Sequence, residues 1–462
     1  MARIVGGKES RVSFLFAWLL NAVYLTLLVL ASPWIFWTAI KQEKYRAGFA
    51  EKLLGRVPPR AGQRAGQRPC VWLHAVSVGE VNLLETVLTE MESRTADWEL
   101  VISTTTKAGY DLARRKYADH TVFYCPLDFT WAVRTALRRV RPDVLVLAEL
   151  ELWPNLIRAA KQFGARVAII NGRLSDNSFR GYRRLRPLVR RVLRQIDLVA
   201  VQNEETADRF RQLGATPAAV AVTGSLKFDG AQTERQNAKT QALRQLAAIA
   251  DEDIVLLAGS TQAPEEAYAL EIYHQLVVEY PQLRLVLVPR HPERFGEVAG
   301  LLDRSELPYV RRSQMKESAI RPFTTRDGAQ SAIILVDTIG ELGAWWGLAT
   351  LGFVGGSFGS RGGQNMLEPA AYGVATCFGP NTWNFRDIVL QLLAAEGAVV
   401  VRNRDQLEQF VRQALADPDW AQELGQRARR LVLSGQGATA RTVDLLSPLV
   451  GNRAKTESRH AA

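Results

Sequence analysis

From Val12 to Ile40 the chain carries no charged residue, and the run from Phe14 to Leu30 is almost wholly apolar. About 20 such residues suffice to cross a bilayer, so the pattern predicts a membrane-anchoring helix, either a full span or an interfacial one. Trp34, Trp37 and the basic segment Lys41 to Arg46 follow, as an aromatic belt beside cations would on the cytoplasmic face. A secretory signal peptide fits less well, because its apolar core is shorter and ends on small residues. Residues 41–69 are basic and amphipathic, then rich in Pro and Gly from Val57 to Pro69, which reads as a linker.

A regular alternation begins at Cys70. Short apolar and β-branched runs recur at Cys70–His74, Glu99–Thr105, Thr121–Cys125, Val144–Glu149, Arg166–Asn171, Leu198–Gln202 and Val220–Gly224, most of them separated by helix-period segments. After a polar gap from Asp229 to Lys239 a second series follows at Ile254–Gly259, Leu283–Pro289, Ala332–Asp337, Ala349–Gly355, Val374–Gly379 and Ala398–Arg402. Strands alternating with helices make parallel sheets covered by helices. The expected fold is α/β of the GT-B type: two Rossmann-like, doubly wound domains facing a cleft at their strand C-terminal ends, behind the N-terminal helix. The boundaries read from the pattern are 1–40 for the anchor, 41–69 for the basic segment and linker, 70–234 and 235–450 for the two domains, and 451–462 for a polar tail.

Composition adds one constraint to this picture. The chain has 58 Lys and Arg against 47 Asp and Glu, a formal net charge of +11, which suits an anionic partner. Nucleic acid is disfavoured, because no aromatic-interleaved motif accompanies the charge; lipid headgroups or a phosphorylated substrate remain. Cys70, Cys125 and Cys377 are too scattered for a disulfide framework or a zinc site, and no metal-binding pattern stands out. Asp251-Glu-Asp253 has D-x-D spacing but precedes a strand in an acidic turn, so no metal and no cofactor are expected.

The candidate chemistry lies at strand ends. Leu351 to Val354 runs into a loop with glycines at 355, 356, 359, 362 and 363, followed by a helical segment expected from Asn365 to Tyr372. Such a loop lets backbone N–H groups approach a phosphate, and a helix start adds positive potential; Gly355, Gly356, Gly362, Gly363 and Gln364 are therefore candidates. Glu368, in the first turn, can accept hydrogen bonds from sugar hydroxyls. The loop matches neither the dinucleotide nor the Walker fingerprint, so a plain surface loop is the alternative.

Glu80 follows the first strand in Ser77-Val-Gly-Glu80, which reads either as a capping box or as a general base at a strand end. Glu149 ends an apolar strand, with Glu151 and Trp153 just beyond; each carboxylate is either a structural acceptor or a functional group, since a carboxylate buried without partners is costly. Lys227 in Gly224-Ser-Leu-Lys227-Phe-Asp229 can hold a phosphate or carboxylate, or be a solvated lysine. Pro289 and Arg290 close a strand of the second series, with Arg290 placed for a phosphate or base edge. Thr338-Ile339-Gly340-Glu341 repeats the capping-box pattern, its amides available to a nucleotide. His74 carries no assignment.

Taken in order, these motifs resemble the 3-deoxy-D-manno-octulosonic acid (Kdo) transferases of lipopolysaccharide assembly. The matching pieces are His74-Ala-Val-Ser-Val-Gly-Glu80, Cys125-Pro-Leu-Asp128, Glu149-Leu-Glu-Leu-Trp-Pro-Asn155, Gly224 to Asp229, Pro289-Arg-His-Pro-Glu-Arg294, Asp337 to Leu342, Gly355 to Pro369 and Asn384-Phe-Arg-Asp387. The resemblance implies an inverting, metal-independent glycosyltransferase that moves Kdo from CMP-Kdo to an anionic lipid A precursor (lipid IVA), at the cytoplasmic side of the inner membrane and in contact with its lipids. It implies Glu80 as general base, Glu149 and Lys227 as transition-state stabilisers, and Pro289, Arg290, Ile339, Gly340, Glu341, Asn365, Met366, Leu367 and Glu368 as the CMP site. Gln364 and Met366 stand where the family usually has His and Pro, and Leu150 where it has Thr. The rival readings are a cytosolic nucleotide-sugar epimerase of the same architecture and a membrane-tethered, non-catalytic nucleotide-sugar-binding protein.

Overall fold

The computed structural model describes residues 5–42, 47–60, 68–95, 97–315 and 332–450. The basic stretch Lys44 to Arg46, most of the Pro- and Gly-rich linker and the tail 451–462 lie outside the described residues. The chain divides into two compact units, residues 1–230 with those from Gln436 onward, and residues 231–435.

The first unit holds a seven-stranded sheet, with β1 (Cys70–His74), β2 (Glu99–Thr104), β3 (Thr121–Tyr124), β4 (Val144–Ala148), β5 (Arg166–Gly172), β6 (Leu198–Val201) and β7 (Val220–Val222) in the order β3-β2-β1-β4-β5-β6-β7. Every described pairing is parallel. The strands read as apolar runs because both faces are covered: Trp72, Leu145 and Ile169 pack under one helical layer, Val71, Leu73, Val146 and Ile170 under the other. Strand order reverses between β1 and β4, where ligands of doubly wound sheets collect at the carboxyl ends.

The second unit repeats the plan with β8 (Ile254–Thr261), β9 (Leu283–Pro289), β10 (Tyr309–Arg311), β11 (Ile333–Leu335), β12 (Leu351–Val354), β13 (Ala375–Phe378) and β14 (Val399–Val400), in the order β10-β11-β9-β8-β12-β13-β14. These pairings are also parallel. Order reverses between β8 and β12. The edge strand β10 was not foreseen: it is three half-buried residues with no apolar run of its own, held by Asp337, which accepts from Arg311 Nε (2.8 Å) and Ser313 N (2.8 Å).

One domain boundary is corrected. The closing helix Ala438–Val450, assigned by pattern to the second domain, belongs to the first unit: Ala438, Val443, Leu446 and Val450 share a core with Val81, Leu84 and Val87. Asp229 fastens its start, its carboxylate accepting from Gly437 N (2.6 Å) and Thr439 N (2.5 Å). The anchor segment does form one helix, Val5–Gln42, but among the described residues no helix is long and apolar enough to cross a membrane. Inside the apolar run Asn21 is buried against Thr130, to which its Nδ2 donates at 2.7 Å.

Candidate functional site

In the first unit Ser77 caps the helix Val78–Arg94, and Glu80 closes a capping box. Its Oε1 accepts from Ser77 Oγ (2.8 Å), its Oε2 from Val76 N (2.8 Å), and Ser77 Oγ accepts in turn from Glu80 N (3.4 Å). The box holds the carboxylate at the carboxyl end of β1, next to the end of β4. Burial raises the Glu80 pKa, its hydrogen bonds offset part of that, and the charge of Glu149 raises it further. Glu151 is pushed up to about 7 by burial and by the charges of Glu80 and Glu149, although Trp153 Nε1 donates to it at 2.9 Å. Glu80 is thus a capping-box residue that also belongs to a cluster of three carboxylates.

Glu149 has φ of 55°, in the left-handed region that a Glu rarely adopts. Strain of this kind persists only where the surrounding structure imposes it; here Glu149 N donates to Ile170 O (2.9 Å) in the next strand. Asn171, at φ 52° near the end of β5, is fully buried and accepts from Leu226 N (3.1 Å). That bond ties the exposed Lys227 turn back to the strand beside β4. His74 is fully buried, and burial pushes its pKa down to about 4, so the ring is neutral near pH 7.

The Cys125-Pro-Leu-Asp128 and Trp153-Pro-Asn155 motifs explain each other. Asp128 accepts from Asn155 N (3.0 Å) and Leu156 N (2.8 Å), satisfying the first N–H groups of the helix Pro154–Gln162. Asn155 Nδ2 returns a bond to Asp128 O (2.6 Å). This frame fixes the turn that carries Glu151 and Trp153.

In the second unit the glycine loop differs from expectation. The buried Glu265 carboxylate accepts from Gly356 N (2.7 Å), Ser357 N (2.9 Å), Phe358 N (3.1 Å) and Gln262 N (2.9 Å). An internal anion thus occupies the cradle between β8 and β12, and the amides of Gly356 to Phe358 are committed to it rather than turned to a ligand. Gly355 is pressed against the backbone of Ser260 and Thr261, where an added Cβ would lie 2.6 Å from Thr261 Cα. Glu265 was missed in the sequence. Its signal was Gln262-x-x-Glu265 after a strand, the same grammar as Ser77-x-x-Glu80.

The later part of the loop forms a polar cluster. Gly362 and Gly363 have φ of 82° and 78° and bring Gln364 to Arg290, whose Nε donates to Gln364 Oε1 (3.1 Å). Asn365 Nδ2 donates to Glu368 Oε1 (2.9 Å), and Asn365 Oδ1 accepts from Leu367 N (3.1 Å). Burial raises the Glu368 pKa, while Asn365 and the charge of Arg290 pull it back. The helix starts at Leu367, not Asn365, and ends at Tyr372; so short a helix adds little dipole. Met366 is fully buried, backbone and side chain alike. Pro289 ends β9 in the core. Beyond β11, Ile339 is 79% exposed and Gly340 has φ of 89° with open space around it. Glu341 precedes the helix Leu342–Trp346 rather than closing a box within it; it accepts from Thr338 Oγ1 (2.6 Å) and Arg312 (2.7 Å).

Arg294 is structural, paired with the buried Glu266 and with Glu297. Among the described residues no cluster of His, Cys, Asp or Glu could hold a metal ion.

Residues 46–230 match the family model described as 3-deoxy-D-manno-octulosonic-acid transferase (kdotransferase). The chain is 30% identical over 435 residues to the 3-deoxy-D-manno-octulosonic acid transferase of Haemophilus influenzae, covering 92% of this chain and 97% of that one. It is 32% identical over 431 residues to the transferase of the same description from Bordetella pertussis, covering 90% and 96%. Among solved structures, UDP-GlcNAc 2-epimerase from Neisseria meningitidis, bound to UDP-GlcNAc, aligns with a TM-score of 0.54 at 13% identity, covering 82% of this chain and 100% of that one. That likeness concerns the fold.

Proposed function

The chain belongs to the 3-deoxy-D-manno-octulosonic acid transferase family and is a glycosyltransferase, and from that premise we propose that it transfers Kdo from CMP-Kdo to a lipid A precursor with inversion. The observation that carries this reading is the carboxylate cluster at the β1–β4 reversal, with Glu80 held by its capping box and made more basic by burial and by Glu149. The acceptor hydroxyl oxygen forms the new bond to the anomeric carbon of Kdo as the bond from that carbon to the CMP oxygen breaks. Glu80 takes the hydroxyl proton; CMP leaves with the electron pair. A single displacement of this kind inverts the anomeric centre. Positive charge that develops on the sugar is met by Glu149, and Lys227 stands by for negative charge on the leaving group.

The second unit supplies the donor seat. Arg290 offers its guanidinium to the CMP phosphate, Glu368 and Asn365 address ribose hydroxyls, and the open Ile339-Gly340-Glu341 turn offers amides to the base. Gly356 to Phe358 are left out of this assignment, because Glu265 holds them. Neutralisation of the phosphate by side chains needs no metal in this scheme. The lipid acceptor and a place at the inner membrane fit the +11 charge.

Glu80→Gln tests the role of the base. The amide still accepts from Val76 N or Ser77 Oγ, so folding survives, but it takes no proton; transfer should fall by about 10²–10⁴ with CMP affinity unchanged. If the variant keeps most of its activity, Glu80 is a capping residue and nothing more.

A further inference from the structure

The second unit begins at Ala231, and its first residues fasten onto the two helices beside the turns assigned to the donor. Arg235 is half-buried, and its guanidinium donates to three main-chain carbonyls: Nε to Tyr372 O (3.0 Å), Nη1 to Gly347 O (3.1 Å) and to Ala349 O (2.9 Å). Asn237 Nδ2 donates to Tyr372 Oη (3.2 Å), and Thr240 Oγ1 to Ala344 O (3.2 Å). Gly347 passes so close to this segment that an added Cβ would lie 2.6 Å from Thr240 Oγ1.

These acceptors share a place in the fold. Tyr372 closes the helix Leu367–Tyr372, whose first turn carries Glu368; Ala344 and Gly347 lie at the end of the helix Leu342–Trp346, which Glu341 precedes. The two helices pack against each other. At their rise per residue they are only about 7–9 Å long, so a tilt of about 10° at the far end swings the near end by more than the roughly 0.5 Å that a binding site tolerates. The clasp is costly to keep. Among the described residues no carboxylate pairs with Arg235; Arg429 and Arg244 stand near it instead, and burial, then the charge of Arg429, lowers its pKa. Water could meet the carbonyls of a helix end as well, whereas a planar guanidinium reaches carbonyls on two sides at once and fixes their spacing.

We propose that Arg235 is a positioning residue for the donor: by clasping the far ends of both helices it sets the spacing of Glu368 and Glu341, and with it the affinity for CMP. The inference rests on the donor seat proposed above. Asn237 and Tyr372 add one hydrogen bond to the same clasp.

Steady-state transfer and a CMP titration, both on the full chain, test it. Arg235→Met should raise the KM for CMP-Kdo and the Kd for CMP about tenfold, the equivalent of one charge-assisted hydrogen bond. The kcat and the KM for the acceptor should not change, because ribose and base are held equally in the ground and transition states. A merely structural role does the reverse: part of the protein unfolds, kcat falls and KM stays. Should Arg235→Met not fold, Asn237→Ala/Tyr372→Phe takes only one bond from the clasp and should raise the KM for CMP-Kdo about threefold. An unchanged KM and Kd in folded Arg235→Met, or in the double variant where Arg235→Met does not fold, would overturn the proposal. Arg290→Ala separates the clasp from the seat itself. It should weaken CMP binding whatever Arg235 does, and unchanged affinity there would remove the donor seat and this inference with it.

Discussion

At Glu80 one carboxylate closes a helix cap and is proposed to take the acceptor proton. The two roles support each other, because the cap fixes the rotamer while burial and Glu149 raise the pKa. The sign of the pH dependence follows. A base works deprotonated, so activity should be lost as pH falls through the folded pKa of Glu80, which lies above its ordinary value of 4.5. Glu149→Gln removes a negative neighbour and should move that acid limb to lower pH, besides lowering the rate; a limb that stays in place in the pH–kcat/KM profile would show that Glu149 does not act on Glu80. Ser77-x-x-Glu80 was legible as a spacing, and Glu149 as the first polar residue after an apolar strand. The strained backbone of Glu149 was not, since it depends on β5 lying beside β4; nor was the charge coupling of Glu80 to Glu149 and Glu151, which depends on β1 and β4 lying side by side although the helix Val78–Arg94, β2 and β3 intervene in the chain.

The glycine loop shows what an element can hide. Its glycines suggested amides turned to a phosphate, yet Glu265 takes three of those amides and a fourth from Gln262. A nest built for an anion is satisfied from within, by a residue about 90 positions earlier in the chain, and nothing in the loop's own sequence reports such a partner. Glu265→Ala should leave buried N–H groups unpaired, costing about 1–3 kcal/mol for the worst of them, and should lower CMP affinity by loosening Gln364 and Asn365. Urea unfolding and a CMP titration read the two effects. Unchanged CMP affinity in the destabilised variant would separate the loop from the donor seat. Other pairings were hidden in the same way: Asp128 caps the helix Pro154–Gln162 and Asp229 the helix Ala438–Val450. Those motifs were visible as resemblance; their structural work was not.

Two parallel sheets, and nearly all their strands, were readable from apolar runs at regular spacing, because strands buried on both faces must be apolar throughout. The edge strand Tyr309–Arg311 escaped because it is short and half-buried. Domain membership of the last helix escaped because amphipathic periodicity says that a face is buried, never against what. Truncation after Gly435 should therefore destabilise the first unit, which loses the contacts of Ala438, Val443, Leu446 and Val450, and leave CMP binding by the second unit intact. Limited proteolysis with a CMP titration distinguishes this from a helix that belongs to the second unit, whose loss would abolish CMP binding.

The most direct measurement is transfer by detergent-solubilised full-length protein, given CMP-Kdo generated in situ and a tetra-acylated lipid A precursor, with and without EDTA. A Kdo-bearing product of inverted anomeric configuration, formed at the same rate in EDTA, is the expected result. No product from protein that still binds CMP would contradict the proposed donor–acceptor pair and turn attention to Gln364 and Met366; product lost in EDTA would contradict the metal-free chemistry assigned to Arg290 and Lys227.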